Sequence, residues 1–204
     1  MKKEKILDVA EQLFSEKGFE GTSIRDIAQM ADVNIAMISY YFGSKEKLLE
    51  ALISIRAGDT TEKLEALDRN EKLDPWSKMD LIVESNVDRL FNNHRFQNIM
   101  SRQFIQDDGL KQQIINIKIQ NLEIIRSIIS KGIKDKKFRK VDIELTATTL
   151  FSVISQITMS KNLYIRIFNL DPKMDEDTYY REISPRVKKH LKSLLRAHLD
   201  IKNA

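Results

Sequence analysis

Residues 21–51 read GTSIRDIAQMADVNIAMISYYFGSKEKLLEA, and this stretch decides the fold. Ile24, Ile27, Ala28 and Ala31 fall at helical spacing and line one face of a short helix. Thr22 or Ser23 can accept a hydrogen bond from the first free N–H groups of that helix, and Asp26 is favourable in its first turn. Ala31-Asp32-Val33 breaks it, and Asn34 is a good N-cap for a second short helix ending near Gly43. About three residues separate the two helices, a spacing that suggests a helix-turn-helix over about 24–43. Ala28 is the small residue at the crossing, and Val33 and Ile38 are the inward locks. Asp32 sits at the turn where glycine is easiest, because Asp tolerates the left-handed conformation better than most residues.

Outward from this stretch the chain reads as all-α. Ile6, Val9, Ala10, Leu13 and Phe14 repeat as an amphipathic helix that Gly18 can end. Ser44 caps a further helix with Leu48, Leu49, Leu52, Ile53 and Ile55 on its apolar side. Beyond Gly58 the helices lengthen. Asp74-Pro75 opens one. Asp107-Asp108-Gly109 reads as a turn, and an isoleucine-rich stripe follows it from Leu110 to Ile129. Gly132 to Val141 reads as a basic connector, and Asp142 caps a helix expected to run to about Leu170. A last helix, broken or kinked at Pro185, carries Val187, Leu191, Leu194, Leu195 and Leu199. The expected division is a small unit over 1–51 and a larger helical unit over 52–204.

Composition narrows the functions. Without cysteine among the 204 residues, disulfides, thiolate zinc sites and cysteine nucleophiles are excluded. The N-terminus lacks the unbroken apolar core of a signal peptide, and no apolar run reaches about 18 residues. The reading is cytoplasmic, with no membrane partner. His94 stands alone, and His190 and His198 lie eight apart, which gives no metal site. No phosphate-binding glycine loop or nucleophile motif occurs, so no enzyme and no cofactor are expected. The net charge of +4 invites a nucleic-acid reading, but residues 1–51 hold seven basic and nine acidic residues, a net of −2. Any DNA contact must rest on local arrangement.

The stretch resembles the DNA-binding domain of the TetR family of transcriptional regulators. Gly21, Ser23, Ile27, Ala28, Ala31, Val33, Asn34, Tyr41, Phe42, Ser44, Lys45 and Leu48 stand in register with the family pattern over about residues 4–55. Asp32 replaces the usual glycine, and Ser39 a frequent tyrosine. The connector GIKDKKFRKVD is similar to a linker often seen between two later helices of that family. The resemblance implies a homeodomain-like three-helix head and a helical C-terminal domain for effector binding and dimerisation. It implies a homodimeric regulator, usually a repressor, on a palindromic double-stranded DNA operator, released by a small molecule. A helical protein–protein interaction module without DNA binding is the alternative.

Helix pitch then divides the recognition segment. Ile38 and Phe42 face the core, whereas Asn34, Ile35, Ala36, Ser39 and Tyr40 face outward or toward the edges. Asn34 can cap the helix or bond a base, Ser39 can reach a base edge or phosphate, and Ile35 and Ala36 can meet thymine methyls. Tyr40 and Tyr41 can bond phosphate, although adjacent helical positions cannot both point inward and Tyr41 can equally belong to the core. Lys45, with the free N–H groups of its helix, can bind the same phosphate, and Ser23 and Arg25 approach from the other side. A largely apolar effector is expected among Met100, Gln103, Phe104, Phe151, Gln156, Met159 and Tyr164. The helix from Asp142 and the last helix are expected to form the dimer interface. Arg186, Lys188, Lys189, Lys192 and Arg196 read as a solvated face.

Overall fold

The computed structural model describes residues 2–96, 99 and 108–203. Its α-helices are α1 (Lys2–Lys17), α2 (Ile24–Ala31), α3 (Ile35–Phe42), α4 (Lys45–Arg69), α5 (Pro75–Asn92), α6 (Asp108–Lys134), α7 (Ile143–Met159), α8 (Lys161–Ile167) and α9 (Glu176–Leu199). No strand occurs among the described residues. No helix there is long and apolar enough to cross a membrane.

The chain packs as two compact units. The first comprises residues 1–60 and 95–117, the second 61–94 and 118–204. Ile6, Leu13, Phe14, Ile27, Ile38, Leu48, Leu52 and Ile53 form the core of the first unit. Phe96, Ile99, Leu110 and Ile114 are buried in that same core. The sequence reading assigned these last four to the second unit, because nothing local shows that distant apolar residues share a core.

Several helices run differently from their expected bounds. α4 continues through Gly58 to Arg69, and α6 continues through Gly132 to Lys134. Asp108 and Gly109, read as part of a turn, are the first residues of α6. Gly132 answers to space rather than to helix ending: a Cβ there would overlap the buried Phe138 ring. The backbone of Lys137 and Phe138 folds back to the Gly132 carbonyl at 2.9 and 3.0 Å. The expected helix from Asp142 to Leu170 stops instead at Met159. Ser160, at φ −115° and ψ 39°, leaves the helical region, and its carbonyl accepts the first bonds of α8. α9 is continuous across Pro185. Pro185 and Arg181, the residue whose carbonyl it frees, are both exposed, so water can satisfy the lost bond.

The second unit has its own core, including Met79, Val83, Val87, Phe91, Ile125, Leu150, Ile154, Tyr179, Val187 and Leu191. Along its flank, α9 is ion-paired to α5. Lys188 lies 2.8 Å from Glu84 and 2.6 Å from Asp88, Lys192 2.5 Å from Glu84, and Arg196 2.7 Å from Asp80. Arg196 also covers the Trp76 ring at 4.3 Å, and Arg186 covers Phe168 at 4.3 Å. The basic cluster read as a solvated face is therefore largely engaged, because α5 carries acids at the matching helical spacing.

Candidate nucleic-acid interface

In the first unit, short-range hydrogen bonds fix the helix-turn-helix. Ser23 caps α2 in a reciprocal box: its hydroxyl accepts from Asp26 N at 3.1 Å, and Asp26 Oδ2 accepts from Ser23 N at 2.9 Å. The Ser23 hydroxyl and then its backbone N–H hold the Asp26 carboxyl below its ordinary 3.8. Thr22, the other candidate cap, is instead buried, its hydroxyl 2.8 Å from Gly18 O and 3.1 Å from Leu13 O.

The turn is a left-handed helix ending. Asp32 sits at φ 52°, ψ 52°. Its N–H donates to Gln29 O, and Val33 N–H donates to Ala28 O at 3.0 Å. This is the Schellman pairing that glycine usually supports, carried here by aspartate. Asn34 then caps α3, accepting from Ala36 N at 2.9 Å. α3 stops at Gly43, whose φ of 82° and ψ of −62° close a γ-turn with Ser44 N donating to Phe42 O at 3.1 Å. Ser44 opens α4 by accepting from Lys47 N at 3.2 Å.

These ends aim the side chains of α3. Ile38 and Phe42 are buried, whereas Asn34, Ile35, Ala36 and Ser39 are exposed. Tyr40 is 84% exposed and Tyr41 38%, so Tyr40 projects freely while Tyr41 lies on the boundary, with its ring 6.3 Å from that of Phe42. Arg25 and Ser23 are exposed at the start of α2. The sequence-named groups at 23, 25, 34–36 and 39–41 are thus accessible within one unit.

Lys45 is placed differently from its expected phosphate role. Its ammonium donates to Phe19 O at 2.8 Å and Thr22 O at 3.1 Å, and lies 4.1 Å from the centre of the Phe19 ring. Two of its three N–H groups tie α4 to the loop before α2, which leaves one for a phosphate. Sequence reading missed this link because its acceptors are backbone carbonyls far along the chain. It also missed Arg56 of α4, which pairs with Glu4, Asp8 and Glu11 of α1 at 2.7, 2.5 and 2.9 Å. Three of the nine acids in residues 1–51 therefore share one cation from outside that range, whose single charge offsets one unit of the local net −2.

In the second unit, a cavity of about 530 Å³ is bordered by α7, α8 and α9. Gln156 and Tyr164 line it, together with Phe168, Arg186 and His190. Phe151, half-buried against the core, and Met159, 63% exposed, are not among the residues that line it. Met100, Gln103 and Phe104 lie outside the described residues.

A model of the family described as bacterial regulatory proteins, tetR family, matches residues 6–52. The chain is 30% identical over 200 residues to the HTH-type transcriptional repressor NicS of Pseudomonas putida, covering 90% of this chain and 91% of that protein. It is 28% identical over 196 residues to the probable HTH-type transcriptional regulator YttP of Bacillus subtilis, covering 95% and 94%. The transcriptional regulator FadR from Bacillus subtilis, solved in complex with stearoyl-CoA, shares the fold with a TM-score of 0.70 at 23% identity, over 93% of this chain and 97% of that one. The capped helix-turn-helix and a relative aligned along most of both chains agree: the chain belongs to the TetR family and is a helix-turn-helix, DNA-binding transcriptional regulator.

Proposed function

We propose that the chain acts as a homodimeric repressor that binds a palindromic operator through α3 and releases it when a small molecule occupies the second unit. The observation that carries the DNA assignment is the outward row Asn34, Ile35, Ala36, Ser39 and Tyr40 on a helix capped at both ends. Such a helix offers amide and hydroxyl groups for base edges and apolar groups for thymine methyls. Tyr40, Tyr41, Ser23, Arg25 and the remaining N–H of Lys45 serve phosphates. With one arginine and one partly used lysine at this surface, few counterions are released, so affinity falls gently with salt.

Dimer formation rests on an unpartnered face. Leu145, Thr149, Ser152, Gln156 and Met159 recur at alternating four- and three-residue steps and are exposed along α7. Leu163 and Ile167 of α8 and Leu194 of α9 add further exposed apolar area. A second copy covering such a face gives the helical interface expected of a two-fold regulator. NicS is named a repressor, which favours repression as the sign of regulation here. FadR was solved with stearoyl-CoA, in keeping with an effector read by this fold.

The test is fluorescence anisotropy with the DNA preceding the protein's own gene, at several salt concentrations. The wild type binds with two protomers per site, and Tyr40→Ala lowers affinity roughly tenfold, as expected for losing a phosphate contact worth about 1.4 kcal/mol. Unchanged affinity in Tyr40→Ala, or a monomer by sedimentation at working concentration, defeats the assignment.

A further inference from the structure

The basic groups of α9 fall on two sides of the helix, and only one side is balanced. Lys188, Lys192 and Arg196 pair with Glu84, Asp88 and Asp80 of α5. Arg186 and His190 stand two positions before Lys188 and Lys192, on the far side of the helix, and border the cavity instead. Neither is ion-paired among the described residues. No acidic side chain among the described residues lines the cavity. Arg186 lies over the Phe168 ring at 4.3 Å. A guanidinium held over a ring keeps its in-plane N–H groups available to an acceptor. Much of the remaining wall is apolar, including Ile157, Phe168 and Val187.

Unbalanced basic groups beside an apolar wall match a molecule with an anionic head and an apolar body. The volume of about 530 Å³ falls in the range of small-molecule sites. Such sites bury most of the ligand's surface, and here one copy cannot do so. Ser152, Gln156, Arg186 and His190 line the cavity and are all exposed. Ser152 and Gln156 also belong to the α7 row that the dimer reading gives to a second copy. We propose that the effector is an amphipathic anion held in this cavity with its head on Arg186 and His190, and that a second copy closes the site over it. This deepens the effector and dimer readings above and rests on them. A site completed by dimerisation makes the two equilibria reciprocal: the dimer binds the anion more tightly than one copy does, and the anion strengthens the dimer in turn.

The experiment follows dimer dissociation of the full chain by sedimentation over a dilution series, with sodium octanoate and 1-octanol as probes. Octanoate lowers the wild-type dimer dissociation constant about tenfold, a coupling of ordinary size. Octanol, with the same chain and no charge, has a smaller effect. Arg186→Met, which keeps a stem over Phe168, binds octanoate roughly tenfold more weakly by calorimetry, as expected for one lost charged hydrogen bond. Its dimer then responds to octanoate no more than to octanol. Where the dimer persists at the lowest concentration, exchange between differently labelled copies is timed instead, and octanoate slows it. Octanoate that binds without moving the dimer means a site complete in one copy, which overturns the proposal. Octanoate that weakens the dimer means that the second copy itself fills the groove, which overturns it too. No binding, or equal binding to wild type and Arg186→Met, has the same consequence. A chain that stays monomeric with and without octanoate removes the dimer reading along with the site. A dimer that ignores octanoate removes only the site. A dimer that fails to bind DNA by anisotropy removes the regulator assignment, while the sedimentation data still judge the cavity.

Discussion

The two units solve the same problem over different distances. In the helix-turn-helix, orphan backbone groups find partners within a few residues: Ser23 with Asp26, Asn34 with Ala36, Ser44 with Lys47. In the second unit, charge is matched across the fold, as between Lys192 and Glu84, 108 residues apart, or Arg196 and Asp80, 116 apart. Local closure lets an uncharged α3 stand rigidly with its polar face free. Long-range closure uses charge to hold α9 on α5. The difference teaches why the head can be read residue by residue and the second unit only by element.

The most severe break in the comparison is at a glycine of the second unit. Gly132→Ala puts a methyl into the Phe138 ring, which is buried and cannot swing away. Overpacking of this kind costs about 3 kcal/mol, well above the roughly 1 kcal/mol that alanine gains over glycine inside a helix. Urea melts should show the loss, and Phe138→Leu should partly rescue it, so that the double variant is less damaged than the two single effects added. Gly43 in the first unit is the counterpart. A Cβ there has room, meeting Lys47 Cδ only at 3.7 Å, and the restriction is the φ of 82°. Gly43→Ala should cost about 1–2 kcal/mol through the backbone alone. No substitution of a neighbouring side chain should rescue it.

Lys45, like Arg56, departs from that local pattern within the first unit, since its acceptors lie 23 and 26 residues away. Lys45→Met keeps the stem over Phe19 and removes the charged hydrogen bonds, for an expected loss of about 1–2 kcal/mol by urea melts. Tyr40→Phe should change stability by less than about 0.5 kcal/mol, because the ring is 84% exposed, while still weakening DNA binding. If Lys45→Met leaves stability intact and lowers only DNA affinity, its main business is with phosphate.

Legibility followed the same divide. Ser23, Asn34, Ser44, Asp74 and Asp142 were readable as caps because each acts on the N–H groups that immediately follow it. The core face of α3 was readable from helix pitch, and Tyr40 and Tyr41 divided as adjacent positions must. Gly58, Gly132 and Pro185 were read as punctuation, since no sequence window shows that Phe138 packs on Gly132 or that Pro185 faces solvent. Of the effector residues, Gln156 and Tyr164 border a cavity, although nothing in the sequence set them apart from the other five. Phe151 has the same local pattern as a lining residue, and only tertiary packing sets it against the core and away from the cavity.

Acid titration distinguishes the two kinds of closure more gently. Asp26 is held below its ordinary value by the Ser23 hydroxyl, and Glu84 is held below 4.5 by Lys188 and then Lys192. Both carboxyls have lower pKa values folded than unfolded. Each therefore adds stability that is present above its unfolded value, near 3.8 or 4.5, and is lost as pH falls through the folded one. Asp26→Asn and Glu84→Gln should each flatten the acid limb of a stability-against-pH profile. In molar salt the Glu84 contribution should shrink toward that of its variant, while the Asp26 hydrogen-bonded cap should persist. Equal salt sensitivity at the two positions would erase the distinction drawn between them.

The smallest effect belongs to Asp32, where local closure is imperfect. An L-residue at φ 52° gives up some energy that glycine does not, but glycine also loses more freedom on folding. Asp32→Gly should therefore gain only about 0.5 kcal/mol, from the difference of those terms. The same change removes an acid from a head whose residues 1–51 carry a net −2, so DNA affinity should rise as well. Asp32→Asn separates the two causes, since it removes the charge while keeping a side chain that tolerates the left-handed region. If Asn raises affinity as much as Gly does but leaves stability unchanged, charge acts on DNA and φ acts on the fold. If Asp32→Gly proves less stable than the wild type, the aspartate side chain is holding the turn itself, and the head's closure is more local still.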